Sequence, residues 1–168
     1  MSDYDPKQDP DSTLRFLSTV LQKGSAVAMH VDTQSNILIG VDLAIFVYAS
    51  SQSVSDPFFL ALGAFAAASS LIALLAVHPP GFMRKHGQQE SLLYHKRVSD
   101  FPSAAEYRKA LEAVDGDRDA LLDQFGSEIY NLYKFSYFPK RKLYKLARNL
   151  LLTGIVVSAA IRFAQAIA

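Results

Sequence analysis

Apolar residues are concentrated in three long stretches of the chain, and the most uniform covers residues 58–77 (FFLALGAFAAASSLIALLAV). Its 20 residues carry no charge. At a rise of about 1.5 Å per residue they match the ~30 Å hydrocarbon core of a bilayer. Asp56 can cap the start of this helix, Pro57 suits its first position, and Pro79 and Pro80 can end it. The pattern predicts a transmembrane helix.

Two further stretches predict spans that each contain one charged residue. Residues 149–168 are also 20 residues long, and Arg162 lies near their far end, where a long side chain can reach the headgroups. Residues 35–50 are shorter and hold Asp42 in their middle, which fits either a span or a buried core helix. We favour a span, because the seven-residue link SQSVSDP that follows leaves room only for a hairpin turn.

The residues outside these stretches also show helical spacing. Leu14, Leu17 and Leu21 share one face of a helix that leads into the first span. Residues 103–106 form a capping box at another helix start. Pro139 is expected to separate the helix after the acidic turn from the basic segment before the third span. No alternating pattern is long enough for a sheet.

The charge distribution predicts the orientation in the membrane. Residues 33–77 contain only two charges, whereas residues 79–148 contain 13 Lys and Arg against 9 Asp and Glu. Cytoplasmic loops carry an excess of Lys and Arg. We therefore expect residues 79–148 and the N-terminus in the cytoplasm and the C-terminus on the opposite side.

Together these elements predict an all-α membrane protein with three transmembrane helices and a small helical cytoplasmic region. Residues 1–33 form a cytoplasmic N-terminal amphipathic helix, and residues 34–78 form a two-span transmembrane hairpin. Residues 79–148 form the cytoplasmic helical region, and residues 149–168 form the third transmembrane helix.

Motifs for catalysis are missing from the sequence. The chain has no cysteine, its four histidines show no ligand spacing, and it contains no phosphate-binding or hydrolase motif. Its net charge of +1 excludes a grossly basic nucleic-acid binder. Four carboxylates near a turn, Asp115, Asp117, Asp119 and Asp123, fit a helix N-terminus better than an acid site. We expect no enzyme, no metal and no cofactor.

Asp42 and Arg162 are the residues that we expect to serve a membrane function. A carboxylate within a span is costly unless it faces protein or water. Asp42 therefore either lines a polar path or fixes helix packing through a hydrogen bond, and a polar cavity or pairing with Arg162 would relieve its cost.

Small residues four positions apart permit close helix contacts on the second and third predicted spans. The pairs are Gly63/Ala67, Ala66/Ser70 and Gly154/Ser158. The sequence leaves open whether such contacts lie within or between chains, and we expect them between the chains of a homo-oligomer.

A basic and aromatic cluster is the candidate ligand site. Its residues are Tyr94, His95, Lys96 and Arg97, with Tyr130, Tyr133 and Lys134 on a later helix. Aromatic faces stack on bases and cations hold phosphate, so these residues can form a small nucleotide pocket. The alternative is a juxtamembrane surface that touches anionic lipid.

The segment DTQSNILIGVD, residues 32–42, resembles the D-x-K-A-x-x-L-L-x-x-N signature that opens the first span of the Pycsar transmembrane effector family. The order of elements is similar along nearly the whole chain, including the S-x-x-E-Y helix start at residues 103–107. The chain departs from the signature at Gln34, Ser35 and Asp42, where the family favours Lys, Ala and Asn.

This resemblance implies a bacterial antiphage effector that a cyclic pyrimidine mononucleotide, cCMP or cUMP, activates. A partner cyclase would supply the ligand, and activation would impair the inner membrane, in which the protein would be multi-pass with a periplasmic C-terminus. The alternative function is a structural or adaptor membrane protein that docks a soluble partner through residues 79–148.

Overall fold

The computed structural model describes residues 10–52, 55–78 and 91–167, and every regular element in these ranges is a helix. The elements are α1 (Pro10–Ser51), α2 (Pro57–Val77), α3 (His95–Ser99), α4 (Ala104–Val114), α5 (Arg118–Asn131), a π-helical segment (Leu132–Tyr137) and α6 (Phe138–Ile167). The all-α prediction is confirmed for these residues. Residues 1–9, the helix-ending Pro79 and Pro80, and His86 lie outside the described residues.

The chain divides into two compact units. In its described part, unit 1 comprises residues 10–27 and 91–136, and unit 2 comprises residues 28–78 and 137–167. α1 is a single helix of 42 residues, so the N-terminal amphipathic segment leads into the first predicted span without a break, as expected.

α2 begins where the sequence predicts. The Asp56 side chain accepts a hydrogen bond of 3.0 Å from the backbone N–H of Phe58, and Pro57 occupies the first helical position. This cap satisfies one of the free N–H groups at the helix start. α2 ends at Val77.

Pro139 does not separate two helices, so that prediction is wrong. The helical run is continuous from Arg118 to Ile167. In a regular α-helix a proline lacks its N–H donor and its ring collides with the carbonyl four residues earlier. Here the wider π-helical segment Leu132–Tyr137 directly precedes α6 and gives the proline ring room.

Unit 2 has a core to which three helices contribute. Leu38 of α1, Ala66 and Ala73 of α2, and Ala147 and Leu151 of α6 form its buried apolar cluster. The small side chains allow the helix axes to approach closely.

The small-residue faces are used within the chain. A Cβ atom on Gly63 would lie 3.3 Å from the Cβ of Ala49 on α1, and one on Gly154 would lie 2.7 Å from the Cγ of Phe65 on α2. We expected these faces to join different chains, but at both glycines the chain's own helices fill the space.

Unit 2 carries large apolar side chains on its surface. Ile37 and Val47 of α1, Leu71 of α2, and Val156 and Phe163 of α6 are each more than 60% exposed. By length and composition, two helical runs are suited to cross a membrane, namely Pro57–Val77 and Arg118–Ile167. An exposed apolar surface of this extent is typical of a surface that contacts lipid or another protein.

Unit 1 is held together by hydrogen bonds to residues 91 and 92. Ser91 Oγ donates to Glu128 Oε2 at 2.5 Å, and the N–H of Leu92 donates to Gln124 Oε1 at 2.7 Å. The Tyr107 hydroxyl donates to the carbonyl of Leu92 at 3.1 Å. These bonds tie the segment before α3 to α4 and α5.

The caps in unit 1 confirm the local sequence signals. Ser103 caps α4 by accepting from the N–H of Glu106, and Asp117 caps α5 by accepting from the N–H groups of Asp119 and Ala120. Gly116, with a φ of 88°, supplies the left-handed residue of the turn between the two helices. The acidic group therefore forms a turn and a helix N-terminus.

Candidate functional site

Three polar residues of the signature segment lie on one face of α1. Asp32, Ser35 and Asp42 are three and seven positions apart, which are spacings that return to the same helix face. Ser35 and Asp42 are fully buried. The signature thus marks the side of α1 that faces the interior of unit 2.

Asp42 lies at a polar junction of three helices. Ser69 Oγ of α2 is 2.7 Å from Asp42 Oδ2 and 3.0 Å from the carbonyl oxygen of Ala147 on α6. The Ser69 hydroxyl has one hydrogen for these two acceptors. Asp42 Oδ1 is buried and has no hydrogen-bond partner among the described residues. The Ser69 hydroxyl therefore links α2 to α1 and α6 at this junction, and the choice between a polar path and a packing role for Asp42 stays a prediction.

Arg162 pairs with Asp56 in this structure, so it is not the group that relieves the cost of Asp42. Arg162 Nη1 lies 3.3 Å from Asp56 Oδ2, and Gln165 Nε2 lies 3.3 Å from Asp56 Oδ1. α6 runs antiparallel to α2 and passes Asp42 at Ala147. Arg162 is 15 residues farther along, about 22 Å at the rise of an α-helix. The distance along α6 places Arg162 beside the start of α2 instead.

A second ion pair lies at the other end of unit 2. Lys140 Nζ lies 2.8 Å from both carboxylate oxygens of Asp32, and the two side chains are 14% and 32% exposed. Lys140 and Arg162 are 22 residues apart, which corresponds to about 33 Å along α6. The two ion pairs thus lie at opposite ends of unit 2, and the uncharged stretch of α6 between them, residues 149–161, is about 20 Å long.

Sequence reasoning did not identify the pair of Asp32 and Lys140. The two residues are 108 positions apart, and no local pattern relates them. The available signal was the position of Asp32 as the first residue of the signature.

Two of the candidate ligand residues are in contact in unit 1. Lys134 Nζ lies 4.7 Å from the centre of the Tyr130 ring and donates a hydrogen bond to its hydroxyl. It also lies 5.8 Å from the centre of the Phe135 ring. Tyr133 packs against α1 at Gly24. Lys134 and Tyr130 therefore combine a cation and an aromatic face in one exposed place.

The remaining candidate ligand residues lie at α3. Tyr94 directly precedes α3, and the guanidinium of Arg97 lies 5.7 Å from the centre of the Phe101 ring. The side chains of His95 and Lys96 lie outside the described part of the structure.

Unit 1 also contains a cleft that the sequence did not indicate. Its volume is about 340 Å³, and Leu92, Leu111 and Phe125 are among its apolar lining residues. Arg108 and Glu112 lie at the same cleft and form an ion pair of 2.6 Å with each other. Among the described lining residues none belongs to the basic and aromatic cluster. Arg108 is the one cation among the described lining residues and it is paired, so the cleft suits an apolar group better than a phosphate.

The chain can now be compared with known protein families on three features. These are the signature face of α1, the polar junction inside an apolar bundle and the order of the helices. The family model described as the Pycsar effector protein domain matches residues 19–165. The chain belongs to this family. The match extends from the first third of α1 through nearly all of α6 and confirms the resemblance seen in the sequence. No curated protein and no solved structure matches the chain.

Membership in the Pycsar effector family suggests a role in antiphage defence. It also implies a cyclic nucleotide signal from a partner cyclase. Together with the two apolar helical runs, it suggests a membrane protein.

Proposed function

We propose that this protein is a non-enzymatic antiphage effector that impairs the bacterial inner membrane when cCMP or cUMP from a partner cyclase binds to it. The family supports the defence role and the ligand, and the observation that carries the membrane part of the proposal is the inverted polarity of unit 2. Its buried groups include Ser35, Asp42 and Ser69, whereas its surface is rich in large apolar side chains. A protein in water shows the opposite arrangement.

The same inversion supports three spans. On α1, Ile37, Val41 and Val47 are exposed while Ser35 and Asp42 are fully buried. A helix whose polar residues face protein and whose apolar residues face outward is suited to lipid. In this proposal the unit 2 part of α1 crosses the membrane together with α2 and α6.

The charges at the two ends support the expected orientation. Four exposed cations, Arg141, Lys142, Lys145 and Arg148, lie at the end of unit 2 that holds the Lys140–Asp32 pair. The end that holds Asp56 carries Arg162. Because Lys and Arg collect on the cytoplasmic side, residues 79–148 and the N-terminus are cytoplasmic in this proposal and the C-terminus is periplasmic.

Ligand binding in unit 1 would act through a shift in population. α1 and the helical run Arg118–Ile167 each contribute residues to both units. A ligand that binds more tightly to one arrangement of these helices favours that arrangement. In the resting arrangement Asp42 is fully buried. We infer that activation separates the helices and exposes Asp42 and Ser69 to water. Arg97, Tyr130 and Lys134 are the ligand residues of this proposal.

The test is the membrane potential and growth of cells that express the full chain, with and without cCMP or cUMP. We expect depolarisation and growth arrest only when ligand is supplied, and no response to cAMP, which has a purine base. Arg97→Gln with Lys134→Gln should raise the ligand concentration needed, whereas the matched exposed pair Lys109→Gln with Arg118→Gln should not. A polarised membrane with ligand present, together with a stable partner that binds without ligand, would favour the adaptor function instead.

A further inference from the structure

One face of α6 changes from cationic to apolar along a single row of side chains. Arg141, Lys145 and Arg148 are four and three positions apart, and Leu152 and Val156 continue the row at intervals of four. These spacings keep all five side chains on the same face of the helix. All five are exposed, with Leu152 at 53% and Val156 at 68%. We name these five residues the outer row.

The outer row has no role in the core of unit 2. A different face of α6, about 100° around the helix, contacts the other helices, because Lys140 binds Asp32, Tyr144 packs on the core, and Ala147 and Leu151 are buried. The five side chains of the outer row are therefore accessible on the surface of unit 2.

The charge of the outer row is not neutralised by the described residues. α6 contains no Asp or Glu. The three ion pairs found among the described residues use other cations, Arg108, Lys140 and Arg162. Arg141 lies 5.7 Å from the centre of the Tyr137 ring, a contact that holds the guanidinium without neutralising it.

We propose that the outer row binds a phospholipid with an anionic headgroup. Arg141, Lys145 and Arg148 would hold the phosphate and any further negative charge, and Leu152 and Val156 would lie along the first part of an acyl chain. Arginine and lysine next to the end of a membrane span attract anionic headgroups.

The apolar half of the row decides between a lipid and a soluble phosphate. Inorganic phosphate could use only the cationic half, and a free nucleotide has no acyl chain to lie along both Leu152 and Val156. A phospholipid matches both halves in the order in which they occur, headgroup first and acyl chain second. The proposal rests on the proposed insertion of unit 2 into a membrane.

The experiment measures the lipid selectivity of the full chain in phosphatidylcholine bilayers. The probes are spin-labelled phosphatidylglycerol and spin-labelled phosphatidylcholine, and the measured quantity is the motionally restricted fraction of each. One cation near an anionic lipid surface is worth about 1 kcal/mol, so we expect a preference for phosphatidylglycerol of about fivefold or more. Changing Arg141, Lys145 and Arg148 to Gln should reduce the preference to about one. The charge-matched control, Lys23, Lys109 and Arg118 to Gln, should retain it.

Insertion is measured on the same samples by resistance to carbonate extraction. A parent protein that does not insert contradicts the proposed function, whereas an inserted parent without lipid preference contradicts only the lipid site. If the triple variant fails to insert, a salt series on the parent decides, because the preference should fall as NaCl screens the headgroup charge. A preference that survives in the triple variant, or a labelled lipid that millimolar glycerol 3-phosphate displaces, would overturn the proposal.

Discussion

Replacing Asp42 by Leu tests whether the polar junction controls the membrane function of unit 2. The change removes the carboxylate that contacts Ser69 and adds a branched apolar side chain at a fully buried position. We expect the variant to insert at least as well as the parent, because an aspartate at the centre of a span costs on the order of 2.5–3.5 kcal/mol on insertion scales.

The folded bundle should nevertheless lose stability. An interhelical hydrogen bond in a membrane bundle contributes about 0.6 kcal/mol on average and about 1.7 at most. Forcing a larger side chain into a packed core costs about 1–3 kcal/mol. We therefore expect Asp42→Leu to destabilise the bundle by about 2–4 kcal/mol.

Asp42→Asn separates the need for a hydrogen bond from the need for a carboxylate. Its amide keeps the shape of the side chain and can donate to Ser69 Oγ, which frees the serine hydrogen for the carbonyl of Ala147. This is also the residue that the family signature favours at position 42. We expect a stability within about 0.6 kcal/mol of the parent, the average worth of one such bond.

The assays are thermal unfolding in detergent, followed by circular dichroism, and dye-reported membrane potential in cells after ligand is supplied. Asp42→Leu should lose ligand-triggered depolarisation, whereas Asp42→Asn should keep it. Val41→Leu changes an exposed position on the same helix and is the control for adding an apolar group. Depolarisation by Asp42→Leu at the parent's level would refute the reasoning, and failure of Asp42→Asn alone would show that the carboxylate itself is needed.

Three further predictions test the packing, the ion pair and the topology. Gly154→Ala should lower the melting temperature of unit 2, because the added Cβ has no room. Gly40→Ala has open space around it and should raise stability by about 0.5–1 kcal/mol. Equal effects of the two variants in thermal unfolding would contradict this. Asp32→Asn and Lys140→Gln should each destabilise the folded protein. The double variant should lose less stability than the sum of the single variants, because the two changes remove one interaction. Additive losses in this double-mutant cycle would show that the ion pair contributes nothing. Reporter fusions at Ala110 should give cytoplasmic activity, and a periplasmic signal would overturn the orientation.

Signals that act within a few residues were read correctly from the sequence. Asp56 caps α2, and Ser103 and Asp117 cap the helices of unit 1, because a cap depends only on the next three residues. Pro139 is the exception, since its effect on the helix depended on whether the preceding turn could widen into a π-helix.

Signals between helices were harder to read because they depend on helix register. The sequence suggested Arg162 as a partner of Asp42, and nothing in the spacing shows that α6 passes Asp42 at Ala147 rather than at Arg162. Helix register also determines the pairing of Asp32 with Lys140, which the sequence did not reveal for the same reason. The need of Asp42 for a protein partner was predictable, because burial of a polar group demands one, but Ser69 as that partner was not.

The central claim is that a cyclic pyrimidine nucleotide opens the membrane through this chain. The direct measurement uses the purified full chain in liposomes that hold a potassium diffusion potential, with the potential followed by a dye after cCMP or cUMP is added outside. We predict that one of these ligands collapses the potential in liposomes with the parent protein and leaves it intact with Asp42→Leu. A potential that persists while calorimetry shows the ligand bound to the parent protein would contradict the claim.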